Sequence, residues 1–215
     1  MMHSWVLVPQ GAEYQAVARS LSKLPGDRPL TLAAIPVGRA AVTQWLAQQA
    51  IQHPDPIEHI ILCGLCGSLR STIPVGQAVT YTHCQDEAGQ QWICEPIAHP
   101  AVIPVQGLSS DRLVHLAAEK QKLAQTYNVD VVEMEAAAVL TYAHSQGIPV
   151  SILRVVSDDA HYDLPDLTTA IDAAGNLQPM PLALEMIRHP IAALRLIRGS
   201  LQGLARLEQV TRQIF

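Results

Sequence analysis

The stretch Val131-Val132-Glu133-Met134-Glu135-Ala136-Ala137-Ala138 passes from a β-branched pair through two acids into an alanine run. Helix-forming residues continue to Gln146, Gly147 supplies a stop and Pro149 restarts the chain. The next run, Leu153-Arg154-Val155-Val156-Ser157-Asp158, is apolar up to a second acidic end. The pattern predicts strand 129–132, helix 134–146 and strand 150–156. Parallel strands need a crossover of about this size. Glu135 and Asp158 would then leave their strands at one edge of a sheet, where open α/β sheets bind ligands.

Working outward, 4–9 reads as a first strand, broken by Gly11, and 13–24 as a helix with Glu13 at its start. Residues 30–37 predict a strand and 39–52 a helix, ended by His53-Pro54-Asp55-Pro56, which cannot continue one. A β-branched run over 58–63 leads into a glycine-punctuated turn over 64–69, with Gly64, Gly67 and Ser68. Residues 75–82 are extended, 84–100 form a polar excursion or hairpin, 102–105 a strand and 111–124 a helix. Strands alternating with helices predict an α/β fold. The expectation is a single three-layer domain over 1–215, with a central twisted mixed β-sheet flanked by helices and a C-terminal helical segment, 181–215.

The chain has 215 residues, 49% hydrophobic and 15% charged, which excludes a disordered chain. Its net charge of −5, with no dense basic face in the body, argues against nucleic acid as a partner. The N-terminus lacks the pattern of a signal peptide, and no apolar run approaches the ~20 residues that cross a bilayer. A cytoplasmic location is expected. Cys63-Gly64-Leu65-Cys66 matches C-x-x-C, but Cys84 and Cys94 make a poor second claw for zinc. Small residues packing a strand end are preferred over a redox dithiol, and no metal site is expected. In the tail, Ile187, Ile191, Leu194, Ile197, Leu201, Leu204 and Leu207 recur three or four apart, flanked by Arg188, Arg195 and Arg206. A helix capping the core with a solvated basic edge is preferred there over membrane-surface contact, and Gly199 and Gly203 weaken it as one rigid helix.

Val132-Glu133-Met134-Glu135-Ala136 and Arg154-Val155-Val156-Ser157-Asp158, together with Cys63-Gly64-Leu65-Cys66-Gly67-Ser68-Leu69 and Ser109-Ser110-Asp111, resemble segments of the nucleoside phosphorylase/nucleosidase superfamily. That superfamily includes methylthioadenosine/S-adenosylhomocysteine nucleosidase and purine nucleoside phosphorylase. The resemblance spans residues 4 to 160. It implies cleavage of the N-glycosidic bond of a purine nucleoside. Glu135 would accept hydrogen bonds from the ribosyl hydroxyls and Met134 would pack on the sugar. Asp158 would protonate or hydrogen-bond the purine, with Glu133, Ser157 and Leu113 in the base pocket. Glu13 aligns with the carboxylate that activates water in the hydrolases. Leu113 stands near a position where the nucleosidases place a stacking Phe.

The phosphorylases carry an Arg and a Ser around the glycine segment where Leu62 and Leu65 stand here. Those missing donors favour water over phosphate, although Ser68, Arg39 and Arg70 remain as phosphate candidates. No cofactor is implied, beyond inorganic phosphate as co-substrate of a phosphorylase. The family resemblance also implies a homo-oligomer, a dimer or hexamer. Gly175-Asn176-Leu177-Gln178-Pro179 and Arg188-His189-Pro190 resemble a hopanoid-associated phosphorylase-like subgroup, linked to adenosyl-lipid cleavage. A nucleoside-binding module without catalysis is the alternative outside enzymology.

Overall fold

The computed structural model describes residues 3–23, 30–52, 57–167 and 178–215. The helix stop at 53–56 and the Gly175–Leu177 part of the tail motif lie outside them. The chain runs β1 (Ser4–Pro9), α1 (Ala12–Leu21), β2 (Leu30–Ile35), α2 (Arg39–Gln52), β3 (His59–Ser68), β4 (Ala78–Asp86), β5 (Gln91–Ile93), β6 (Val102–Ser109). It continues through α3 (Ala117–Tyr127), β7 (Val131–Glu133), α4 (Ala136–Gln146), β8 (Val150–Asp158), α5 (Pro179–Arg188) and α6 (Pro190–Ile214).

The eight strands form one mixed sheet, the α/β arrangement expected. β1 lies between β2 and β3, parallel to both. β3 pairs with β8 in parallel, β8 with β4 antiparallel, β4 with β6 and β6 with β7 in parallel, and β7 with β3 antiparallel. These five pairings close on themselves. Helices cover both sides: Val42, Leu46 and the alanines of α4 join one core cluster, while Val17 of α1 and Leu207 and Val210 of α6 join another.

Several expectations need correction. β7 and β8 are not a parallel crossover pair, because β7 runs against β3 and β8 runs with it. The two acidic ends still meet, since Gly67 of β3 is in register with both Val132 and Asp158. Residues 64–68 are strand, not turn, with a bulge between Cys66 and Gly67. Their glycines make room for side chains that cross β3, as the site below details. Finally, α6 runs unbroken through Gly199 and Gly203. A Cβ at Gly199 would sit 2.0 Å from the carbonyl oxygen of Ser157, so glycine lets α6 lie directly on the end of β8.

Helix α3 starts at Ala117, later than the 111 expected. The carboxylate of Asp163, 46 residues away in sequence, accepts the Ala117 N–H at 2.7 Å, so no local signal marked this start. The polar excursion is the β4–β5 hairpin, in which Asp86 accepts the N–H groups of Ala88 and Gln90. Leu207 of the tail stripe is buried, but Ile187, Ile191, Leu194, Ile197 and Leu201 point outward. Among the described residues no helix is long and apolar enough to cross a membrane.

Candidate active site

β3 organises the site. Gly64 is in register with Arg154 of β8. A Cβ on Gly64 would fall 2.3 Å from Arg154 Nη1 and 2.8 Å from Glu13 Oε1. A Cβ on Gly67 would fall 2.8 Å from Asp158 Oδ2. Each glycine thus leaves the space that a charged side chain occupies, and two clusters of charge lie along this strand.

The first cluster collects Glu13, Glu133 and Glu135 around Arg154. Arg154 is fully buried in the middle of an apolar strand. Its Nη2 donates to Glu133 Oε2 and, at 3.1 Å, to Glu135 Oε2, while Nη1 donates to the Leu65 carbonyl at 3.3 Å. Glu133 Oε2 also accepts the N–H groups of Glu135 (3.0 Å) and Ala136 (2.8 Å). Glu133 is therefore the acid that caps α4, satisfying donors that a helix start leaves open. That use ties Glu133 to the start of α4 and to Arg154. Glu135 stands at the N-cap position of α4 but makes no cap bond with its side chain. Its Oε1 instead accepts the N–H of Gly38 at 3.2 Å. The Met134 methyl approaches the same glycine, 3.9 Å from where a Cβ there would lie.

Glu13, in the first turn of α1, reaches β3, where its Oε1 accepts the Leu65 N–H at 2.6 Å. Burial pushes its pKa up to about 7; Arg154 opposes the rise, and the carboxylates of Glu135 and Glu133 add to it. Burial also raises Glu135, against Arg154 and with Glu133. Burial by itself would lower Arg154, but the charges of Glu133 and Glu135 outweigh it and raise the guanidinium further. Three carboxyls thus share one cation, and Glu13 is the one that keeps its proton up to about pH 7.

The second cluster lies across Cys66 and Gly67. Asp158 ends β8, half-buried. The ammonium of Lys120, a fully buried side chain of α3, bonds Asp158 Oδ2 and, at 2.7 Å, the carbonyl of Asp159. Ser157 Oγ is 3.0 Å from Asp158 Oδ1 and 3.2 Å from the Cys66 carbonyl, and donates to one at a time. Leu113 is half-buried ahead of α3.

The phosphate candidates are engaged elsewhere. Ser68 is buried, donates to the Arg70 carbonyl at 2.8 Å and accepts the Arg70 N–H at 3.3 Å. Arg39 pairs with Asp86 at 2.9 Å, and Arg70 with Asp130 at 3.3 Å. Cys63 and Cys66 are buried free thiols in mid-strand, and burial pushes Cys63 up to about 12 and Cys66 higher still. That is the reverse of a reactive dithiol. A cavity of about 490 Å³ along β5 and α4, lined by Trp92, Cys94, Leu140, His144 and Pro149, contains none of these acids.

Of the expected residues, the fold gathers Glu13, Met134 and Glu135 around Arg154 near Gly64, and Asp158 and Ser157 beside Gly67 of the same strand. Arg154 and Lys120 were missed as members. Arg154 had a signal, a charge inside an apolar strand. Lys120 had none, because the sequence around it looks like a solvated helix face.

Residues 107–179 match the family model described as the phosphorylase superfamily. No curated protein matches the chain. Among solved structures, the fold is similar to 5'-methylthioadenosine/S-adenosylhomocysteine nucleosidase from Helicobacter pylori, with TM-score 0.73, 14% identity, and 100% of this chain and 97% of that chain covered. It is also similar to futalosine hydrolase of H. pylori strain 26695, with TM-score 0.71, 12% identity, and 99% and 97% covered. The nucleosidase from Neisseria meningitidis gives TM-score 0.65 and 17% identity, with 99% and 100% covered. At such identities the likeness speaks for the fold.

Proposed function

We propose that this protein of the phosphorylase superfamily cleaves the N-glycosidic bond of a purine nucleoside or nucleoside-like substrate, with water as the attacking group. The observation that carries this reading is Glu13: a carboxyl raised to about 7 by burial, fixed on the Leu65 N–H, beside the Arg154–Glu135 pair. A base whose pKa lies near the working pH is the best compromise between being ionised and pulling a proton.

The roles follow from the partners. Glu135, held by Gly38 and Arg154, offers its carboxylate to sugar hydroxyls and keeps the ring oriented. Glu13 takes a proton from water as the sugar gains oxocarbenium character. Asp158 meets the departing base, which gathers the electron pair of the broken bond. Acid–base assistance of this kind supplies roughly 10²–10⁴ in rate. Water is favoured over phosphate because Arg39, Arg70 and Ser68 already have partners within the protein. Solved structures of similar fold bear the names nucleosidase and hydrolase, which agrees.

The test is base release from adenosine, methylthioadenosine, S-adenosylhomocysteine and inosine, with and without phosphate. Release without phosphate supports hydrolysis, and release only with phosphate makes the protein a phosphorylase. No release from any nucleoside, lipid-linked ones included, sinks the reading. One observation favours a greasy substrate as a second reading: α6 lies on Ser157 through Gly199, and its outward face carries Ile191, Leu194, Ile197 and Leu201. Preference for a lipid-linked nucleoside over adenosine would support it.

A further inference from the structure

Lys120 has no role in the reaction as described, yet its side chain is wholly excluded from solvent beside a reacting group. A buried ammonium is costly unless it is paired. A lysine on a helix can avoid that cost by turning its flexible stem to water, as the exposed Lys122 two positions on does. Lys120 instead turns inward and spends its donors on Asp158 Oδ2 and the Asp159 carbonyl.

The pairing changes what Asp158 offers. A carboxylate in a salt bridge is an acceptor and carries no proton of its own. A purine leaving with the electron pair of the C–N bond needs a proton. Asp158 has two side-chain donors within hydrogen-bond distance, the Ser157 hydroxyl and the Lys120 ammonium. Only the ammonium can give a proton away without creating an alkoxide. Resting on the functional reading above, we propose that Lys120 is the proton source for the departing base and acts through Asp158.

The step balances. The C–N bond breaks and its electron pair passes to the purine. Asp158 takes a proton from Lys120 Nζ, which is left a neutral amine, and passes that proton to the ring nitrogen, returning to carboxylate. Water gives its oxygen to the anomeric carbon and a proton to Glu13. Exchange with solvent returns a proton to Lys120 and removes one from Glu13. In sum, water is consumed, the sugar gains a hydroxyl and the base gains a hydrogen.

Two variants test this. Lys120→Arg keeps the charge, but a guanidinium does not give up its proton in a protein. Lys120→Met removes both. Each is assayed on a purine nucleoside that the wild type cleaves and on its N7-methylated counterpart, whose base departs neutral without needing a proton. Both variants are expected to lose about 100-fold or more in kcat on the parent nucleoside, with KM little changed. On the methylated substrate they should regain most of the wild-type rate. Wild-type kcat in Lys120→Arg overturns the inference, and so does an equal loss on both substrates, which marks a structural lysine. Thermal unfolding identifies a variant that fails to fold, and the other then carries the comparison. A wild type that releases no base overturns the functional reading itself, whereas an active wild type with an active Lys120→Arg overturns Lys120 alone.

Discussion

The two charged clusters along β3 use the same acidic group, a carboxyl, under different charge balance. On the sugar side, Glu13, Glu133 and Glu135 share the single guanidinium of Arg154. On the base side, Asp158 has the ammonium of Lys120 to itself. The first arrangement carries surplus negative charge, so one carboxyl holds a proton to about pH 7. The second is neutral as a pair. Identical functional groups acquire different chemistry from the partners that the fold assigns them.

The largest expected effect comes from removing the shared cation. Arg154→Met strips the buried Glu133 and Glu135 and the half-buried Glu13 of the one guanidinium that, among the described residues, they share. Breaking a buried ion pair from one side costs about 3–5 kcal/mol, because the opposite charge stays behind. Urea unfolding should show that loss, and activity should vanish; a wild-type midpoint would mean that the carboxyls do not depend on Arg154. Gly64→Ala attacks the same cluster by volume. Its Cβ would meet Arg154 Nη1 and Glu13 Oε1, both held by hydrogen bonds inside the protein. Overpacking of this kind costs roughly 1–3 kcal/mol, measurable in the same experiment, and an unchanged stability would show that the cluster has slack.

Glu13→Gln separates function from stability. The amide keeps an acceptor for the Leu65 N–H but cannot take a proton, so turnover should fall by roughly 10²–10⁴. Stability should move the other way. Glu13 titrates near 4.5, an ordinary glutamate value, when unfolded and about 7 when folded, so the folded state binds the extra proton between those values. Its contribution to stability is therefore lost as pH rises from 4.5 to 7, and stays lost above. The glutamine escapes that loss. Its Tm at pH 8 should exceed the wild type's, by the equivalent of about 1–3 kcal/mol, and the gap should close as pH falls toward 4.5. A lower Tm at pH 8 would remove the strained carboxyl from the account.

The acidic ends of β7 and β8 were legible because each follows an apolar run and each matches a family segment. The partners were harder to see. Lys120 lies between Glu119, which pairs with Arg112, and the exposed Lys122, so its surroundings read as a water-facing helix. Only the packing of α3, through Leu123 and Ala124, with Leu108 of β6 and Val132 of β7 turns it inward, so that it reaches the end of β8. The route by which the acids meet was also misread. A strand–helix–strand pattern suggests a parallel crossover, yet β7 runs against β3, and the pairing that decides this joins residues some 65 positions apart. Glycine in a strand is often read as a break. Gly64 and Gly67 are instead vacated positions, and what fills them, Arg154, Glu13 and Asp158, comes from elsewhere in the chain.

The mildest substitution draws the line between the clusters most finely. In Gly67→Ala the new Cβ would lie 2.8 Å from Asp158 Oδ2 and 3.3 Å from Oδ1. Unlike the groups facing Gly64, this carboxylate ends a side chain that keeps 12% of its surface exposed, so it can swing aside. The stability cost should therefore be small, on the order of 1 kcal/mol or less. The carboxylate that moves, however, is the one that meets the base and contacts Lys120. A displacement of about 1 Å at a reacting group can cost roughly 100-fold in rate. Gly67→Ala should thus keep nearly wild-type unfolding while kcat drops, whereas Glu13→Gln loses kcat and gains stability. If Gly67→Ala unfolds as readily as Gly64→Ala, the base side is as rigidly packed as the sugar side, and the distinction between a crowded, charge-sharing cluster and a movable ion pair fails.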